Sequence, residues 1–227
     1  MEAGKIIATA RDEGRHFLFE DEAKALLAAS GIPVTPCRRA GSEEEAVSLA
    51  AEMGYPVVLK VRSALIQHKS DLGGVVLNLA DEQAVRRAFQ DILQRAAAVD
   101  AAAAVTVQPM APPGIEVITG LVADRQFGPV LMFGLGGVFT EVLRDVCFRL
   151  VPVTPAEARE MTTAIKGSRL LDGFRGGPPA DRQALADLLL AVSNLAVAVP
   201  GIKEMDLNPV TVYSKGLLVL DARVLLA

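Results

Sequence analysis

KEMDLNPVTVYSKGLLVLDAR, residues 203–223, reads as two strands joined by a turn at Ser214-Lys215-Gly216. Side chains alternate faces along a strand, so Asp206 and Asn208, two apart, share one face. Within one residue of register, Asn208 falls opposite Asp221 on the returning strand, and directly opposed residues have Cβ atoms ~5 Å apart. Leu207, Val210, Val219 and Leu220 flank these polar positions. Three oxygen-bearing side chains then converge at the edge of an otherwise apolar sheet. Mg²⁺ binds through one or two carboxylates plus waters and substrate phosphates, which suits this set. The plainer alternative is a hairpin whose polar face meets solvent.

A second piece lies far upstream, in QHKSDLGGV at 67–75. Gly73 and Gly74 allow backbone amides to turn toward an anion, although most such pairs are hairpin turns. Lys69 puts a cation beside them. His68, next to Lys69, is either a structural hydrogen-bonder or a phosphoryl acceptor, since neutral imidazole can attack phosphorus. A neighbouring ammonium favours that neutral form. Lys60 ends the apolar strand YPVVLKV (55–61). A lysine there is costly to bury unpaired. Its head either snorkels to water or meets a phosphate.

Between these pieces lies FGPVLMFGLGGVFTEVLRDVCFRL (127–150). Gly134, Gly136 and Gly137 lead into a short helical pattern, and a glycine turn before a helix can hold an anion. Glu141 and Asp145 share a helix face, with Arg144 and Arg149 able to pair with them. A salt-bridged surface and a phosphate site are equally open readings of this stretch.

The remaining chain alternates helices and strands. Ser42 with Glu45 reads as a capping box closed by Gly54, and Thr154-Pro155 as a helix start. RLLDGFRGGPPAD reads as a loop. The 227 residues carry a net charge of −4 with few aromatics and no Trp, which argues against nucleic-acid binding. Two distant cysteines, Cys37 and Cys147, argue against a disulfide framework or zinc site, and are expected as buried free thiols. The N-terminus has no signal-peptide core, and apolar runs break before membrane-spanning length. A soluble, cytoplasmic protein without membrane contact is expected. The composition shift near APPG predicts a hinge at 108–114 between lobes at 19–107 and 115–227, after an N-terminal extension at 1–18.

Taken together, YPVVLKV, HKSDLGGV, VQPM, QFGPVLMFGLGGVFTEVLRDVCFRLVP and EMDLNPV…LDAR resemble the ATP-grasp domain of NDP-forming acyl-CoA synthetases, best known as the β subunit of ADP-forming acetyl-CoA synthetase. The likeness covers Phe19 to Ala227. It implies an α+β ATP-grasp fold, with ATP or ADP held between two lobes. Lys60 and Lys69 would then meet nucleotide phosphates, with Gly73 and Gly74 as the phosphate loop. Gln108, Pro109 and Met110 would line the adenine pocket, and Glu116 would make a polar contact to nucleotide. Asn208 and Asp221 would hold Mg²⁺, with Asp206 nearby, and Arg144 or Arg149 would assist with phosphate. His68 matches the family's phosphorylated histidine. The implied reaction is acyl-CoA + ADP + phosphate ⇌ acid + CoA + ATP. No GxGxxG segment follows a strand, so the resemblance implies a separate CoA-binding α subunit in a hetero-oligomer, or a fused domain. Two alternatives stand beside it. One is a non-catalytic ATP-binding regulatory module of a larger acyl-CoA synthetase-like or acetyltransferase protein. The other is an ATP-grasp ligase that joins a carboxylate to an amine without a phosphohistidine.

Overall fold

The computed structural model describes residues 2–66, 69–137, 145–173 and 177–227. The chain forms two compact units. The smaller comprises Phe19–Asp21 and Thr35–Pro112, the larger Met1–Leu18, Glu22–Val34 and Pro113–Ala227.

The smaller unit is an antiparallel sheet in the order β2-β5-β3-β4, built from β2 (Arg38–Ala40), β3 (Val57–Arg62), β4 (Val75–Leu79) and β5 (Ala104–Pro109). Helices α3 (Glu43–Met53) and α4 (Glu82–Ala96) pack against it. Val57, Leu59 and Val61 alternate along β3 into a core with Leu49, Phe89 and Ile92. Each large apolar side chain buried there contributes about 1.5–3 kcal/mol. The same alternation sends Lys60 to the other face, in line with Thr106 across the β3–β5 ladder. Helix α3 starts where expected, with the Ser42 hydroxyl accepting from the Glu45 N–H at 3.2 Å. The Glu45 carboxylate reaches one residue further back than a capping box requires, accepting from the Gly41 N–H at 2.7 Å.

The larger unit is built on a sheet ordered β1-β11-β9-β6-β7-β8, with β10 also paired to β9. Its strands are β1 (Phe17–Leu18), β6 (Ile115–Asp124), β7 (Gly128–Leu135), β8 (Val146–Leu150), β9 (Ile202–Val212), β10 (Leu217–Val219) and β11 (Ala222–Leu226). Val117, Leu121, Leu131, Phe133, Met205 and Leu207 fill its core with residues of α5 (Pro155–Ala164) and α6 (Arg182–Ala198). Helix α5 starts with the full Thr154/Glu157 capping box. Asp181 caps α6 through the Ala184 N–H at 2.9 Å and takes the Gly216 N–H at 2.8 Å. One carboxylate thus ties the helix start to the β9–β10 turn.

Four features depart from the sequence reading. The segment read as an N-terminal extension holds helix α1 (Glu2–Asp12) and strand β1, which pairs Phe17 with Leu225. Helix α2 (Glu20–Ala29) buries Ala23, Leu26 and Leu27 in the larger unit's core, so most of it groups with the C-terminal residues. The stretch read as a loop begins with a 3-10 helix, Lys166–Asp172. Both cysteines are free, and each is half-buried rather than fully buried. Burial raises the Cys147 thiol pKa. Among the described residues no helix is long and apolar enough to cross a membrane.

Candidate functional site

The hairpin pairs Val210 with Val219 and Leu207 with Ala222. Asn208 lies within that interval, and its N–H donates to the Asp221 carbonyl at 3.2 Å. On the other side of β9 the ladder to β6 slips. Val117 faces Val210 and Thr119 faces Leu207, so Ile118 opposes two residues, Asn208 and Pro209. Pro209 has no N–H to give the ladder, and a bulge of this kind re-aims the side chain beside it. Asp206 and Asn208 are exposed, and Leu207 between them is buried. Asp206 stands opposite Arg223. Its carboxyl pKa is raised, first by the crowding of neighbouring chain and then by the Asp221 charge, with Arg223 opposing. Two carboxylates that repel each other beside an amide carbonyl form a donor set a hard divalent cation would stabilise. Among the described residues no cluster of three or more His, Cys, Asp or Glu has metal-binding geometry. A hard divalent cation bound here would have to take its remaining oxygens from water and phosphate.

In the smaller unit the apolar strand β3 delivers Lys60 to a buried carboxylate. Glu20 is 7% exposed, as is Lys60. Lys60 Nζ donates to Glu20 Oε1 at 2.7 Å, and Lys69 Nζ to Oε2 at 2.5 Å. Gln108 Nε2 donates to Oε1 at 2.6 Å, and the Gln108 carbonyl oxygen accepts from Thr35 Oγ1 at 3.2 Å. The snorkelling expected as one reading of Lys60 is thus replaced by a buried ion pair. The whole first turn of α2 is engaged: Asp21 pairs with Arg62 at 2.9 Å and Glu22 with Arg15 at 2.7 Å. Arg62 also lies over the Phe19 ring, 3.6 Å from its centroid. Sequence reasoning missed Glu20. The signal was present in a buried-strand lysine that requires a counter-charge and a helix opening with three acids.

The glycine pair does a different job from the one expected. The Gly73 N–H donates to the Ser70 carbonyl at 3.0 Å and the Gly74 N–H to the Lys69 carbonyl at 2.7 Å, so these amides close a turn and do not line an anion nest. The turn is fastened to β3 by Val61 N–H to the Gly74 carbonyl at 2.7 Å, and to α4 by Arg95 Nη1 to the Gly73 carbonyl at 2.9 Å. A Cβ on Gly74 would lie 2.6 Å from Val61 Cγ1, so this close approach requires glycine.

The other expected residues divide. Pro109 pairs with Val57, and the Met110 N–H is used by the Pro56 carbonyl at 2.9 Å, which removes it as a donor to a base. Glu116 is exposed in β6, and its carbonyl accepts from the Gly136 N–H at 2.8 Å. Arg149 shares its register pair with buried Leu131, and its guanidinium meets Glu160 of α5 at 3.1 Å. It therefore lies on the helix-covered face, opposite the one that carries Asp206, and is not placed as a phosphate contact. Asp145 accepts the Lys166 and Gly167 N–H groups at 2.8 and 2.7 Å, anchoring the 3-10 helix to β8. His68, Glu141 and Arg144 lie outside the described residues.

The two sheets with their packed helices define an α+β architecture. The chain matches the ATP-grasp domain family over residues 9–226 and belongs to that family. Among proteins of known function it is 45% identical over 227 residues to the β subunit of the ADP-forming acetate–CoA ligase I of Pyrococcus furiosus, covering 99% of this chain and 97% of that one. It is 49% identical over 207 residues to the ADP-forming acetate–CoA ligase II of Archaeoglobus fulgidus, of which the match spans 30%. Among solved structures, the acetyl-coenzyme A synthetase 1 of Ca. Korarchaeum cryptofilum, in complex with coenzyme A and Ca-AMPCP, aligns with TM-score 0.95 at 46% identity, covering 99% of this chain and 100% of that one. A second structure of that protein, with coenzyme A and Mg-AMPPCP and its phosphohistidine segment pointing towards the nucleotide binding site, aligns with TM-score 0.88 at 45% identity, again covering 99% and 100%.

Proposed function

We propose that the chain is the nucleotide-handling β subunit of an NDP-forming acyl-CoA synthetase, catalysing acyl-CoA + ADP + phosphate ⇌ acid + CoA + ATP together with a CoA-binding α partner. The observation that carries this reading is the end-to-end match to a free-standing β subunit of an ADP-forming acetate–CoA ligase. The match to about a third of a longer ligase supports a partner supplying the remainder.

In this reading the chain transfers a phosphoryl group between a histidine and ADP. His68 holds the phosphate on one imidazole nitrogen. A terminal oxygen of ADP attacks that phosphorus, the N–P bond breaks as the O–P bond of ATP forms, and the imidazole leaves with the electron pair. Such transfer needs positioning and charge neutralisation more than covalent help from the protein. Lys60 and Lys69 supply two ammoniums to the phosphate oxygens. Asn208 and Asp221, with Asp206 beside them, would hold Mg²⁺, which would supply charge neutralisation at the phosphates. Gln108, Pro109 and Met110 support the base by packing, and Glu116 offers a polar contact. Gly73 and Gly74 serve by fastening the turn that follows the histidine.

The experiment is reconstitution. The chain mixed with its CoA-binding partner should form ATP from acetyl-CoA, ADP and phosphate, and either component alone should not. ATP formation by the partner without this chain, or none by the mixture, would refute the proposal.

A further inference from the structure

Glu20 is a buried carboxylate with no assigned part in phosphoryl transfer, yet it gathers donors from three separate stretches. Lys60 comes from β3, Gln108 from β5, and Lys69 from the turn that follows the histidine segment, all bonded at 2.5 to 2.7 Å. Glu20 opens α2, where the helix dipole favours a negative charge. The next residue, Asp21, is paired with Arg62, and Phe19 before it lies under the same guanidinium. A carboxylate only accepts, so it draws the NH₂ end of the Gln108 amide toward itself and leaves Oε1 to accept from the Thr35 hydroxyl.

We propose that Glu20 is a positioning residue for the phosphate-binding amines, setting the spacing of Lys60 and Lys69 and the direction of the Gln108 amide before a nucleotide arrives. The inference rests on the nucleotide reading above only for what these amines meet. The Lys60 and Lys69 ammoniums together carry more charge than the one Glu20 carboxylate they share. An ammonium carries three donors, so a carboxylate and a phosphate can share it. Donors held in place in advance cost no reorganisation when charge develops in transfer. The carboxylate also competes with phosphate for the same cations. Its two effects therefore oppose each other in binding, and only the positioning effect acts on transfer.

That opposition gives a signature that a merely structural residue lacks. The test uses the chain with its CoA-binding partner, comparing wild type, Glu20→Gln and Glu20→Asp. Three quantities are read: the Mg-ATP dissociation constant by calorimetry, the rate at which phosphate reaches His68, and backbone amide exchange at Gly73 and Gly74. In Glu20→Gln the dissociation constant should stay within about threefold of wild type or tighten, because a competing anion is gone. Transfer should slow about tenfold or more, the scale of losing charge-assisted hydrogen bonds. Exchange at Gly73 and Gly74 should quicken about tenfold, since the turn starting at Lys69 loses one of its fastenings, while α4 amides keep their rates. Glu20→Asp, which keeps the charge on a shorter arm, should recover part of both rates. Unchanged transfer and exchange in Glu20→Gln would overturn the proposal, as would binding that falls in step with transfer. If wild-type chain takes no phosphate at His68, the functional reading fails, and binding and exchange still decide the role of Glu20.

Discussion

Gly120 sits in β6 directly across from Asp206 of β9 and Met132 of β7. A Cβ at this position would lie 2.2 Å from the Met205 carbonyl oxygen and 3.2 Å from its carbonyl carbon. An ordinary carbon–oxygen approach between strands is about 3.3 Å, so Gly120→Ala must part β6 and β9 by about 1 Å. The obstacle is backbone, so no rotamer change relieves it. That displacement stretches the neighbouring ladder bonds beyond useful length. Losing two of them costs about 1 kcal/mol each. Overpacking in a dense interior adds about 1–3 kcal/mol. A total of about 3–5 kcal/mol lowers the thermal midpoint by roughly 6–20 °C for a chain of this size. Gly4→Ala is the control: it lies inside α1, its Cβ would meet nothing within 4 Å, and it should stabilise by up to about 1 kcal/mol. Thermal and urea unfolding followed by circular dichroism measure both. A Gly120→Ala midpoint within about 1 °C of wild type would refute the close β6–β9 approach beside Asp206.

Three further outcomes follow from the site. Lys60→Met removes one of the two ammoniums proposed to meet phosphate, while Lys69 and Gln108 still donate to Glu20; calorimetry should show nucleotide affinity reduced by about 10–100-fold. Asp221→Asn removes a charge that raises the Asp206 pKa, so without metal its unfolding midpoint should equal or exceed wild type. With Mg-nucleotide at about a hundred times its dissociation constant, wild type should gain about 2.7 kcal/mol and the variant should lose most of that gain. Asp181 holds its pKa below the usual carboxylate range through the Gly216 and Ala184 N–H groups. A lowered carboxylate pKa stabilises the fold at neutral pH, and that contribution disappears as pH falls through the folded value. Asp181→Ala should therefore cost about 1 kcal/mol at pH 7, and urea titrations should show the gap to wild type closing in acid.

The hairpin at 203–223 was legible because its signal is local. Strict alternation around Asp206, Leu207 and Asn208 fixes the face, and a short glycine turn limits the register to within one residue. The helix starts at Ser42 and Thr154 were legible for the same reason, since a cap is decided within four residues. Glu20 was not legible, because its partners lie 40, 49 and 88 residues away and nothing local marks one acid among three as buried. The role of Gly73 and Gly74 was misread because the same pair serves a nest or a closed turn, and only the Ser70 and Lys69 carbonyls decide between them. Arg149 was ambiguous because β8 carries apolar residues on both faces, so alternation alone does not say which face α5 covers.

The central claim is that phosphate stops on the imidazole of residue 68. Incubating the purified chain with Mg-ATP and analysing it by mass spectrometry under neutral conditions tests it directly. The account predicts one acid-labile phosphate on the peptide that carries His68, discharged by added ADP and absent from His68→Ala. A chain that binds nucleotide under the same conditions but leaves that peptide unmodified would contradict it.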